Sequence, residues 1–251
     1  MANVEMLYEF LNSAIPAELS CEWDNDGRMC IPCPEKEVKK ALICLDASES
    51  AIDYAIKNVF DCIITHHPFI FSPISNIDGG VSIGRKACKL IKNDVAVLSF
   101  HTRLDKVSGG VNDALADVLD IKNIEDFSDI GRMGTVERVD LTTFAAKVKE
   151  ILGADRVVCV DSGNPVSKIA IVGGSGKGYL SEALKCGCDT FITGEMPYNC
   201  EHEAKELGIN LICGGHYFTE NIVCARLEML VKNFDSGIHT EFFESNVSFC
   251  V

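Results

Sequence analysis

Apolar residues fall along this chain in two rhythms. Short runs of aliphatic residues, ALICL (41–45), CIIT (62–65), VAVLSF (95–100), IAIV (169–172), TFIT (190–193) and LIC (211–213), read as strands. Between them lie stretches whose apolar positions recur every three or four residues, the spacing of an amphipathic helix. At the N-terminus Val4, Leu7, Phe10 and Leu11 keep that spacing, and Pro16 ends the helix. Residues 121–160 add a turn, a short strand, an amphipathic helix and another strand. Strand and helix in alternation predict an α/β protein.

The pattern repeats. Residues 41–67 lie over residues 169–195 without a gap, and Ile43/Ile171, Ala55/Ala183, Lys57/Lys185, Asp61/Asp189, Ile64/Ile192 and Thr65/Thr193 are identical. Each copy reads as strand, small-residue turn, helix and a second strand ending in threonine. A slightly different shift lays His101 on His216 and Asp105 on Glu220. Two α/β units are therefore expected, a first half over residues 1–125, with room for the C-terminal segment to pack back on it, and a second over 126–251. No Pro/Gly/Ser-rich stretch marks a hinge between them.

Chemistry collects at the ends of the runs. His101 and Asp105 follow VAVLSF, His216 and Glu220 follow LICGG, and the adjacent pair His66-His67 follows CIIT. Imidazole with carboxylate is the donor set of a borderline or hard divalent ion. Ligands of open α/β sheets gather beyond the carboxyl ends of strands, where all of these residues are expected. In a regular strand His66 and His67 point to opposite faces, so they either serve two ions after a backbone bend at Pro68 or merely cap hydrogen bonds. His202 is expected on a polar helix face and His239 in a structural role near the C-terminus.

GGSGKGY (173–179) lacks the spacing of a nucleotide-hydrolysing phosphate loop, but as a tight turn its amides are candidates for an anion. Trp23, the single tryptophan, reads equally as an interface anchor or a core plug.

A net charge of −14 argues against a reader of nucleic-acid phosphates. No apolar run approaches the roughly 20 residues of a membrane span, and the N-terminus lacks the features of a secretory signal. Of thirteen cysteines, Cys44, Cys62, Cys159, Cys213 and Cys224 lie in apolar runs, and Cys30-x2-Cys33 has no partner pair for zinc. Reduced, packed thiols and a cytoplasmic location follow.

WDNDG (23–27), ITHHPFIF (64–71), HTRLDKVSGGVNDALAD (101–117), IGRMG (130–134), GGSG (173–176), TFITGE (190–195) and GGHYFTE (214–220) stand in an order that resembles NIF3-like proteins, also called GTP cyclohydrolase 1 type 2 homologs. The resemblance spans nearly the whole chain. It implies two pseudo-symmetric α/β halves with a dinuclear metal cleft between them, assembled as a toroidal homohexamer. It assigns two divalent ions per chain to His66, His67, Asp105, His216 and Glu220, with Glu220 bridging or serving both; histidine with carboxylate suits zinc, iron, manganese, cobalt or nickel alike. His101 lies beside this set, as a candidate for proton transfer. Arg103 and Arg28 depart from the family's usual Asn and Leu, and Arg103 is expected to add a cation at the cleft mouth.

Two function classes are compatible with these residues. One is a metal-dependent hydrolase acting on a small molecule, with ring opening of a guanine nucleotide suggested by the family name. The other is a non-catalytic metal-binding or regulatory scaffold. An open coordination position distinguishes the first from the second.

Overall fold

A computed structural model describes residues 1–249, in which the chain packs as two compact units. Residues 1–107 and 224–246 form the first, and residues 108–223, with the segment that begins at Val247, form the second.

The first unit is built on a sheet of β1 (Gly27–Cys30), β2 (Lys40–Cys44), β3 (Cys62–Thr65), β4 (Ala96–Ser99) and β11 (His239–Phe242) in the order β1-β4-β3-β2-β11. β2, β3 and β4 run parallel, β11 joins β2 in the same sense, and β1 is antiparallel to β4. The central strands are the apolar runs read from sequence, and β3 and β4 are buried at every position. Burial on both faces is the mark of a parallel sheet sandwiched by helices. Those helices are α1 (Val4–Ala14), α2 (Glu49–Lys57), α3 (Ser82–Lys92) and α10 (Cys224–Phe234), with the short α4 (Thr102–Lys106) after β4. Asn3 and Ser48 cap α1 and α2 by accepting from Met6 N and Ala51 N, which satisfies donors the first helical turn leaves open. His239, expected to be structural, lies on edge strand β11 with its ring against Phe60.

The second unit holds β5 (Lys122–Phe127), β6 (Gly131–Val139), β7 (Val158–Val160), β8 (Val166–Ser175), β9 (Thr190–Glu195) and β10 (Asn210–Cys213) in the order β5-β6-β8-β9-β10-β7. β8, β9 and β10 are parallel, while β7 is antiparallel to β10 and β6 to β8. Along β8, Ile169 and Ile171 enter one core with Phe144 and Val148, and Ala170 and Val172 enter the opposite core with Phe191. α5 (Val111–Val118), α6 (Leu141–Leu152), α7 (Leu180–Lys185), α8 (Tyr198–Leu207) and α9 (His216–Glu220) complete the unit. The hairpin of β5 and β6 is only partly anticipated by sequence, because five of the six β5 residues are exposed and carry no apolar signature. Cys159 departs from its expected packing and is exposed on β7, an edge strand.

The duplication extends to atomic detail. Ala41 pairs with Cys62 and Cys44 with Thr65, and 128 positions later Ile169 pairs with Thr190 and Val172 with Thr193. Asp61 accepts from the amides of Lys39 and Lys40, and Asp189 from those of Ser167 and Lys168. The equivalent lysines, Lys40 at the head of β2 and Lys168 near the head of β8, donate to the carbonyls of Asn58 and Cys186. Of the six identities seen in sequence, the aspartate is therefore retained with a job, pinning the start of one strand to the start of the next.

Among the described residues no helix is long and apolar enough to cross a membrane, and no cysteine is in a disulfide.

Candidate functional site

In the first unit, Asp46, His66-His67 and His101 stand just past the carboxyl ends of β2, β3 and β4, three adjacent parallel strands. The chain bends after Thr65, so the two neighbouring histidines do not diverge, and their rings lie 5.1 Å apart. The His101 ring is 5.2 Å from that of His66 and 5.8 Å from that of His67. One ring nitrogen from each of the three lies within 4.8 Å of the others, so together they could hold a metal ion.

Nδ1 of each ring is hydrogen-bonded. His66 Nδ1 is 2.9 Å from the Phe100 carbonyl, His67 Nδ1 2.7 Å from Asp46 Oδ1, and His101 Nδ1 2.8 Å from Asp24 Oδ1. A carbonyl or carboxylate only accepts, so Nδ1–H donates in each case and Nε2 of the neutral ring keeps its lone pair. That is the tautomer required for ligation through Nε2, and outer carboxylates or carbonyls of this kind hold such rings in register. Asp105, buried on α4, places Oδ1 3.5 Å from His66 Nε2.

The WDND segment braces this arrangement. The Asp24 side chain is fully buried and also accepts from Thr102 N and Thr102 Oγ1. Burial alone would raise its carboxyl, but the bonds from His101 and Thr102 outweigh that and hold it well below the usual carboxylate range. Asp26 accepts from His101 N and from Arg103 Nε, both at 3.0 Å. Arg103 is thus no cation at a cleft mouth. It is 1% exposed, donates to Asn12 and the Ile15 carbonyl, and lies over the Phe100 ring. Its planar fork suits this internal bracing, and Arg28 meanwhile stays outside, paired with Glu5.

The second unit repeats the placement with different residues. His216 follows β10, its Nε2 3.0 Å from Glu220 Oε2 one turn along α9 and its Nδ1 3.2 Å from Glu195 Oε1 at the end of β9. Gly174, at φ +61, approaches so closely that a Cβ there would overlap the Glu220 carboxylate. The expectation that the GGSG amides hold an anion is not met at Gly173 and Gly174, which donate to Asn112 Oδ1 and Thr219 Oγ1. A cavity of about 540 Å³ opens beside His216, its wall including Arg156, Met196, Tyr217 and Phe218. His202 is exposed on α8, its ring against that of Tyr198.

Reading the sequence alone missed Asp24, Asp46 and Glu195. Asp24 sits inside a motif that its tryptophan dominates. Glu195 falls on His67 when the two copies are overlaid, which was the available signal. Asp46 offers none beyond being the first polar residue after a strand.

Fold and donor set define an α/β protein of duplicated strand–helix–strand units, with histidines and carboxylates at its strand ends able to hold a divalent ion. The chain belongs to the Duf34/NIF3 (NGG1p interacting factor 3) family, whose profile matches residues 2–249. It is 32% identical to a GTP cyclohydrolase 1 type 2 homolog of Clostridium perfringens, over 98% of this chain and 94% of the relative. The GTP cyclohydrolase 1 type 2 of Helicobacter pylori is 29% identical over 98% of both chains. Among solved structures, reduced HcgD from Methanocaldococcus jannaschii superposes with a TM-score of 0.84 at 27% identity, covering 96% of this chain and 97% of that one.

Proposed function

We propose that this chain is a metal-dependent hydrolase that works with two divalent ions per chain. His66, His67 and Asp105 of the first unit and His216 and Glu220 of the second are the ligands, with Glu220 serving both ions. The observation that carries the reading is the pair His66 and His67, neighbours in sequence whose Nδ1 atoms are both tied to acceptors and whose rings lie 5.1 Å apart, with Asp105 Oδ1 3.5 Å from His66 Nε2. A satisfied core histidine needs no such convergence. Zinc, iron, manganese, cobalt and nickel all suit nitrogen with carboxylate oxygen.

Bound at these residues, divalent ions supply Lewis acidity and lower the pKa of water toward neutrality. The chain's own part is orientation and proton traffic. Asp24 holds the His101 ring with Nδ1 as donor, so His101 can take a proton at Nε2 and return it. The names of the relatives point to ring opening of a guanine nucleotide as the reaction to assay first.

Elemental analysis of protein reconstituted with zinc, manganese or iron is expected to give about two ions per chain. Glu220→Gln is expected to lose more than one ion's worth and Asp105→Asn mainly one. A ratio near zero for the unmodified protein sinks the reading, and equal single losses in the two variants remove the shared role of Glu220. A homohexamer working in the cytoplasm belongs to the same reading, in keeping with the free thiols of the described residues. Light scattering at several concentrations is expected to return six times the chain mass, and a monomer mass throughout would refute it.

A further inference from the structure

Trp23 and Phe71 are apolar, exposed and held in place beside the histidine group, a combination that the metal-site reading leaves unused. Trp23 is 64% exposed and Phe71 54%. Their rings lie 6.1 Å apart, and each is also 6.1 Å from the His101 ring, which it meets edge-on. The imidazole at the strand end thus has an indole on one side and a phenyl ring on another.

Neither ring hangs on a loose loop. The residue after Trp23, Asp24, receives three hydrogen bonds from His101 and Thr102. The next, Asn25, donates to the carbonyl of Ile70, which immediately precedes Phe71, and so ties the two segments together. Phe69 is buried, and Lys86 lies over its ring. Large aromatic side chains are ordinarily buried, and a pair left in solvent on braced backbone marks a recognition surface. The pair borders polar ring nitrogens, and a few polar groups beside apolar walls are the usual make-up of a small-molecule site. With planes tilted by 54°, the two rings are not parallel jaws, so a flat ligand lies against them instead of being sandwiched.

We propose that Trp23 and Phe71 are the stacking wall for a planar heteroaromatic ring, whose polar edge is thereby brought to His101. This deepens the hydrolase reading by assigning the ring-bearing part of the substrate to two particular residues, and it rests on that reading only for the ring's being the part that reacts. Stacking tolerates any base because every base has a π face, and it contributes roughly 1–3 kcal/mol per base, or about 5- to 150-fold in affinity.

Trp23 is the chain's single tryptophan, so its fluorescence reports on the wall directly. Metal-loaded full-length protein is titrated with guanosine, adenosine and cytidine, with ribose as the control without a ring. Saturable quenching by the nucleosides and none by ribose is expected. Trp23→Leu, followed by calorimetry, and Phe71→Leu, followed by fluorescence, are each expected to weaken nucleoside binding by about 5-fold or more, with metal content unchanged. Absence of nucleoside binding to protein that carries its metals overturns the wall and leaves the metal reading standing. Nucleoside binding by protein that takes up no metal supports the wall and defeats the metal reading. Binding unaltered in both variants overturns the assignment, and so does an oligomer that dissociates in Trp23→Leu without any nucleoside binding, since the pair is then a subunit contact.

Discussion

Arg103→Leu is expected to destabilise the first unit by about 3–5 kcal/mol, the usual cost of leaving one partner of a buried ion pair uncompensated. Arg103 and Asp26 are 1% and 6% exposed in their side chains and 3.0 Å apart. The leucine would also abandon Asn12 and the Ile15 carbonyl, both of which accept from the guanidinium, and would lose the cation over Phe100. Urea unfolding measures the loss. Arg28→Leu is the control, because its pair with Glu5 is exposed and such pairs contribute about 0–1 kcal/mol. Because Asp26 also receives the His101 amide, the damage should spread to the WDND segment, visible as a shifted Trp23 emission in folded protein at low denaturant. Equal losses in the two variants would show that the buried arginine is not a brace.

The second large effect is expected from His101→Ala. If His101 moves a proton, the variant keeps both metal ions and loses about 10²- to 10⁴-fold in turnover, the range for a general acid–base group. Its place among the three histidines makes the alternative concrete, since one of its ring nitrogens lies within 4.8 Å of one from His66 and one from His67. Loss of an ion along with the rate would reassign His101 to the metal. Asp24→Asn is the companion test. Asparagine can turn its amide nitrogen toward Nδ1 and favour the wrong tautomer, so the rate should fall while Thr102 and the fold remain in place. Elemental analysis and rate on the same preparation separate these outcomes.

The family, the α/β class and the duplication were legible in sequence because each rests on local periodicity. Parallel strands buried on both faces must be apolar runs, and Ile43/Ile171 and Ile64/Ile192 keep that character in both copies. Asp61 and Asp189 survive as identities because each closes the same pair of backbone amides. The gathering of His66, His67 and His101 was legible too, because residues that follow adjacent parallel strands of one sheet share one end of it.

What only the tertiary structure decided are matters of direction and company. Whether His66 and His67 diverge or converge depends on the bend after Thr65, which no residue pattern specifies. Arg103 looks like a surface cation in one dimension and is a buried brace in three, because the acceptors that justify its burial, at Asn12, Ile15 and Asp26, are distant in sequence. Gly173 and Gly174 have amides fit for an anion until Asn112 and Thr219 are brought to them. Trp23 was undecided between core and surface because exposure is a property of the fold and not of the residue. The orienting carboxylates Asp24, Asp46 and Glu195 escaped notice for the same reason: a hydrogen bond to a histidine leaves no periodic trace in the chain, only a distance once the strands are side by side.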